Sequence, residues 1–278
     1  MRSIHCPAAV LVLLLSACEK KSEPAHGESN SERPAKPTRT ERPERSEDEL
    51  DPKVSLREAL DTAEKEGDPA AREKALAAVA WDGIDVDREL AQKAFAGLTP
   101  GGEAARRLVA HFAMRMADDD PEAALEWARG LEQAEERSDA ISRIAVVIST
   151  SDPKRAAALA TDEVPEGLMR DRASVQIVQR WSQSAPADAA QWVATFPEGK
   201  ARQAALESLA GSWLGADAPA FATWASKQEA QLPELATAVA GSIRVIPDEA
   251  VRGKRLAALD EAFRQHVEEA LKKMDQPR

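Results

Sequence analysis

Asp120-Pro121-Glu122-Ala123-Ala124 is followed by Asp152-Pro153-Lys154-Arg155-Ala156, then by Ala185-Pro186-Ala187-Asp188-Ala189 and Ala218-Pro219-Ala220-Phe221-Ala222. Their prolines lie 32, 33 and 33 residues apart. A period of that size marks an array of stacked helical hairpins, in which each unit buries its apolar face on the next. Each segment also reads as a helix start. Aspartate offers an oxygen to the first free backbone N–H groups, and proline fits the first helical position, where its missing N–H costs nothing.

Working outward, Ala124, Ala156, Ala189 and Ala222 each follow their proline by three residues, where a small side chain lets helices approach closely. Trp127, Leu159, Trp192 and Trp224 come five or six residues after it. A turn then breaks the helix, as in Val164-Pro165-Glu166-Gly167, Phe196-Pro197-Glu198-Gly199 and Leu232-Pro233-Glu234. The second helix of each unit closes on Met116, Ile148, Trp181 or Trp213 before the next proline. Asp51-Pro52 and Asp85-Val86 extend the pattern towards the N-terminus, with Trp81 as the closing residue of the first unit.

These signals predict an all-α chain of about six helix-turn-helix units over 51–247, starting near 52, 86, 121, 153, 186 and 219. Residues 248–278 are expected to add one capping helix and a tail. Its apolar residues Val251, Leu259, Phe263, Val267, Leu271 and Met274 fall at helical spacing, and its other face is charged. The six tryptophans are expected mainly as core filler; exposed ones would instead offer surfaces for ligand stacking.

The N-terminus has a different character. Arg2 supplies positive charge, and Ala8 to Ala17 is an apolar run far short of the ~20 residues that cross a bilayer. It ends in Leu15-Ser16-Ala17-Cys18, which resembles the lipobox of bacterial lipoproteins. The resemblance implies a signal peptide over 1–17, cleavage before Cys18, and lipid on its sulfur. Glu19, rather than Asp, follows the cysteine, which favours the outer membrane over the inner one. From 18 to 50 the composition is Lys, Arg, Glu, Ser and Pro, too poor in apolar surface to offset chain entropy, so a disordered linker is expected. Such a tether would span roughly 30 Å on average.

Without residues 1–17 the chain has 36 basic and 48 acidic residues, a net charge of −12. That balance argues against nucleic acid as a partner. The folded region has no cysteine, hence no thiol nucleophile and no thiolate metal ligand. His111 and His266 lie in predicted helices with no second histidine at metal-binding spacing. The chain has no tyrosine, unlike the helical-toroid glycosidases and lyases that use it. Gly211-Ser212-Trp213-Leu214-Gly215 is off register for a serine elbow, and Thr99-Pro100-Gly101-Gly102-Glu103 reads as a turn. Two acidic groups, Asp82/Asp85/Asp87/Glu89 and Asp118/Asp119/Asp120, lack the layout of an EF-hand and sit where aspartate caps helices. No catalytic residue, metal site or cofactor is expected.

The architecture resembles α-solenoids of the tetratricopeptide-like or HEAT-like type, although the Gly and Tyr of the tetratricopeptide consensus are missing. The resemblance implies a non-enzymatic, membrane-anchored scaffold in the cell envelope. It would bind a protein or peptide partner, as do helical-repeat lipoproteins that assist assembly of envelope complexes. The alternatives are a binder of cell-wall glycan or another polymer, and an enzyme with a carboxylate pair formed across repeats.

Overall fold

In the computed structural model, residues 51–276 are described. Cys18 and the expected signal peptide and linker therefore lie outside the described residues. Among those described, all regular structure is α-helical. The helices are Pro52–Lys65 (α1), Pro69–Gly83 (α2), Arg88–Ala96 (α3), Glu103–Asp119 (α4), Pro121–Arg129 (α5), Ala134–Ile148 (α6) and Pro153–Asp162 (α7). There follow Leu168–Ser184 (α8), Pro186–Val193 (α9), Lys200–Ala216 (α10), Ala218–Gln228 (α11), Leu235–Arg244 (α12), Glu249–Ala257 (α13) and Glu261–Met274 (α14). None is long and apolar enough to cross a membrane.

Aspartate side chains cap α1, α2, α3, α5, α7, α11, α13 and α14. Asp120 accepts from the Glu122 and Ala123 N–H groups, both at 3.0 Å. Ala185 begins α9 with no side-chain cap bond. The Pro-Glu-Gly turns end on Gly167 and Gly199, at φ 138° and 150°, a backbone region that glycine alone occupies at little cost.

The repeat is locked to the cap residue rather than to the proline. Four residues before each cap lie Met116, Ile148, Trp181 and Trp213, each at most 6% exposed. Their carbonyls accept the N–H of Asp120, Asp152, Ala185 and Asp217, at 2.8 to 2.9 Å. Seven residues after each cap lie Trp127, Leu159, Trp192 and Trp224. Trp181 packs on Trp192 with ring centroids 6.1 Å apart, and Trp213 on Trp224 at 5.5 Å.

Counting from the cap explains two departures from the sequence reading. The fourth segment is capped by Asp217, one residue before Ala218, so its proline sits second in the helix. Phe221, fully buried, therefore takes the place held by Ala124, Ala156 and Ala189, and Ala222 turns partly outward. The second unit is capped by Asp87, not Asp85. The closing position of the first unit therefore falls on Gly83, where a Cβ would come within 3.0 Å of Leu56 and 3.1 Å of Ala91. Trp81 is displaced outward to 52% exposure, so it is not the core residue expected.

The expected single helix over 248–274 is two helices. Asp260 interrupts it, accepting the Phe263 N–H at 3.1 Å and restarting the chain as α14. Leu259, Phe263 and Val267 keep a spacing of four across the break, which hides it from periodicity. Phe263, Val267 and Ala270 are buried, and α14 packs against α12. No residue of α13 is fully buried, Leu256 packs only partly against the core, and Val251 is exposed.

Each helix packs closely only on neighbours one or two places away in the chain. The even-numbered helices stack directly, α4 on α6, α6 on α8, α8 on α10, α10 on α12, and α12 on α14. The core runs along them as two adjoining clusters, with Trp192 packed against both.

Candidate functional site

The odd-numbered helices form the second layer, and ion pairs tie much of it together. Glu64 of α1 meets Lys93 of α3 at 2.9 Å. Arg129 of α5 meets Glu163, just past α7, at 2.6 Å, and Arg155 of α7 meets Glu122 of α5. Lys154 of α7 reaches Asp188 of α9 at 3.2 Å. The arginine hydrogen bonds hold the Glu122 and Glu163 carboxyls below the usual carboxylate range, against the opposing effect of burial. As between α9 and α11, no such ion pair occurs among the described residues between α3 and α5.

There α4 and α6 pack closely beneath, while α3 and α5 stand apart over a groove of about 740 Å³. Three rings prop it open from below. Phe95, Phe112 and Trp127 lie at centroid distances of 5.0, 5.4 and 5.8 Å from one another. Phe112 is fully buried and Phe95 nearly so, while Trp127 is half-buried and lines the groove. Loops through Leu98 and Pro100, and through Gly130 and Leu131, form its ends.

Four glutamates line this groove: Glu89 from α3, Glu126 from α5, Glu132 from the loop after it, and Glu136 from α6. The first three are exposed, whereas Glu136 is only 5% exposed. One Glu136 oxygen accepts the Gly101 N–H at 2.8 Å. Gly101 can aim that N–H because it sits at φ 72°, where a side chain would be strained. Among the described residues, none of the four glutamates has a cationic partner, and the groove's own Lys93 is engaged by Glu64. A carboxylate withdrawn from water is costly without a compensating charge or full hydrogen bonding. The groove thus offers an aromatic floor beneath uncompensated negative charge.

Apart from Asp82, which is exposed, the other candidate residues have local partners. Asp87 and Asp120 cap α3 and α5. Asp85 accepts from Arg115 at 2.5 and 2.9 Å, and Asp119 from Arg88 at 2.5 Å, so the two acidic groups close on arginines of neighbouring turns. No cluster of three or more histidine, cysteine or acidic residues able to hold a metal occurs among the described residues. His111 is half-buried and stacks on Trp81, with centroids 4.0 Å apart and planes 20° apart. Burial lowers its pKa; Asp85 opposes and Arg115 reinforces that effect. His266 is bound by Glu229.

Sequence reasoning singled out Trp127 and Glu89 but not Glu126, Glu132 or Glu136. Glu136 carried a readable signal: it extends the α6 stripe Ala140, Ile144, Ile148, all buried at spacing four. A charge at the end of an apolar stripe needs a partner, and no Lys or Arg lies three or four residues away on the same helical face. In comparison with known proteins, no family model matches the chain, and no curated protein and no solved structure matches it.

Proposed function

We propose that this protein is a lipid-anchored scaffold of the cell envelope. Its folded part is an α-solenoid of seven helical pairs, α1/α2 through α13/α14, which binds a partner protein through the groove between α3 and α5. The observation that carries this reading is the groove itself: an aromatic floor open between α3 and α5, a junction without the ion pairs that join α1 to α3, α5 to α7 and α7 to α9. Lipid on Cys18 would hold the array near a membrane, and the outer membrane is the favoured one. The helical pairs act as spacers and support, since stacked repeats create extended binding surfaces.

A binding role suits the groove better than catalysis. Three of its four carboxylates stand open to water, and neither histidine lines it. The glycan alternative has one observation in its favour, the exposed Trp81. A polymer track needs a line of such rings, and the other five tryptophans are buried or half-buried.

Site-specific photo-crosslinking in cells tests the reading. A photoreactive residue at position 126, on the groove rim, is expected to trap a discrete partner. The same residue at position 183, exposed near the end of α8, is expected to trap none. Identical products from both positions, or none from either, would count against the scaffold. Cys18→Ala is expected to abolish fatty-acid labelling, and a chain still labelled would refute lipidation at that residue.

A further inference from the structure

We infer that the groove between α3 and α5 receives an extended, basic stretch of the partner polypeptide, with lysine or arginine side chains meeting its glutamates and an apolar side chain resting on Trp127. The inference rests on the scaffold reading and names the chemistry of the partner.

Charge is the first argument. Glu89, Glu126 and Glu132 ring the opening, and Glu136 lies beneath them; the groove's lysine, Lys93, is paired with Glu64, and none of the four glutamates has an ion-pair partner among the described residues. Elsewhere in the same layer, glutamates at helix–helix junctions are matched by lysine or arginine one repeat away, as in Glu122 with Arg155 and Glu163 with Arg129. The groove repeats that pattern with the cations missing, so a cation supplied from outside completes it.

Burial is the second argument. Glu136 is 5% exposed and lines the groove; one oxygen accepts the Gly101 N–H, and the other keeps access to solvent there, where an entering cation can reach it. A guanidinium or ammonium entering the groove would satisfy the other oxygen and offset the charge. An anionic or purely apolar ligand would worsen the site, because it would desolvate four carboxylates without pairing them.

Shape is the third argument. α3 has nine residues, so the wall is about 13 Å long at the ~1.5 Å rise of a helix. An extended chain covers that length with about four residues at roughly 3.3 Å each. Alternate side chains of such a chain turn to opposite sides. Basic and apolar residues in alternation would then place apolar groups on the Phe95 and Trp127 floor and cations at the rim. The volume lies within the roughly 300–1,000 Å³ of ordinary ligand sites.

The test uses the full-length chain in detergent and three dye-labelled pentapeptides followed by fluorescence anisotropy. Lys-Leu-Lys-Leu-Lys is the probe, Glu-Leu-Glu-Leu-Glu its charge-reversed control, and Lys-Gly-Lys-Gly-Lys its control without apolar side chains. The probe is expected to bind at low salt at least tenfold more tightly than either control. The triple variant E89Q/E126Q/E132Q is expected to weaken it at least tenfold. All three side chains are exposed, so this variant is expected to keep the wild-type melting curve. Equal binding of the acidic peptide, or a triple variant within twofold of wild type, would overturn the inference. If the probe fails while position 126 still cross-links to a partner, the scaffold stands and the basic-segment inference falls. If cross-linking also fails, the scaffold falls with it.

Discussion

Arg202 is the most buried cation in the array, and replacing its partner gives a sharp test of how adjacent units are joined. Its side chain is 8% exposed and that of Glu234 is 19% exposed. The guanidinium donates through Nε and Nη2 to the two Glu234 oxygens, and through Nη1 to the Phe196 carbonyl at 3.2 Å. Phe196 lies in the turn before α10, and Glu234 begins α12, so one side chain ties two turns a repeat apart. Glu234→Gln removes the charge and leaves the guanidinium buried. Breaking such a pair costs about 3–5 kcal/mol. Glu198, at 3.5 Å and 80% exposed, can take up part of the charge, so the expected loss is at the lower end, about 3 kcal/mol. Removing both charges in R202M/E234L is expected to cost less than Glu234→Gln alone, because apolar replacement of a buried pair is often neutral. The assay is urea denaturation followed by circular dichroism, with the slope checked for loss of cooperativity. A Glu234→Gln loss below about 0.5 kcal/mol, or single-variant losses that add to within about 0.5 kcal/mol, would refute the coupling.

The pH dependence of that loss has a definite sign. Burial alone would raise the Glu234 carboxyl, but the Arg202 hydrogen bond, a backbone bond at residue 234 and the Arg202 charge outweigh it, leaving it below the usual range. A carboxyl depressed in the folded state stabilises above its unfolded value, about 4.3. That contribution disappears as pH falls through the folded value. The difference between wild type and Glu234→Gln should therefore be full at pH 7 and shrink under acid.

Three further stability outcomes follow from the packing. Trp213→Ala, at a position 6% exposed and packed edge-on against Phe221 and tilted against Trp224, should cost about 3–5 kcal/mol in chemical denaturation; a loss under about 1 kcal/mol contradicts its core role. Asp120→Ala removes two cap bonds and should cost about 1 kcal/mol, with no loss if water replaces the carboxylate equally well. Gly199→Ala, at φ 150°, should destabilise by more than about 1 kcal/mol, whereas Gly253→Ala, inside α13 with open space around it, should raise stability by about 0.4–1 kcal/mol; equal effects would show that backbone conformation is not decisive.

The helix starts were legible in the sequence because their physics is local. Aspartate, proline and the Pro-Glu-Gly turn act within a few residues, and a single chain displays them. Register was harder. Asp217 and Asp87 cap one or two residues away from where a proline-based count puts the start, and each shift turns a side of the helix. Phe221 goes inward and Trp81 outward for that reason. The break at Asp260 was hidden because Leu259, Phe263 and Val267 keep helical spacing across it. The groove was not legible, since α3 and α5 come to face each other only through the packing of α4 on α6. Trp127 looked the same as Trp192 and Trp224 in the sequence, although its neighbours give it a different surface.

The cap-locked positions explain why any specificity must lie off the repeat. Met116, Ile148, Trp181 and Trp213 are buried at the end of their helices, Trp181 and Trp213 against rings of the helix that follows, and a change at any one is felt as lost packing. Such positions are committed to stacking and are not free to read a partner. Glu89, Glu126 and Glu132 carry no such duty, being exposed and unpaired. Glu136 does, since it occupies a buried stripe position where an apolar residue would stabilise the array more simply. Its hydrogen bond from the Gly101 N–H ties α6 to the turn before α4, and a cation entering the groove would supply the matching charge. The groove is therefore the place where the needs of stacking and of binding separate. Glu136→Leu is expected to remove the deepest contact for a basic ligand, at the cost of the acceptor for the Gly101 N–H.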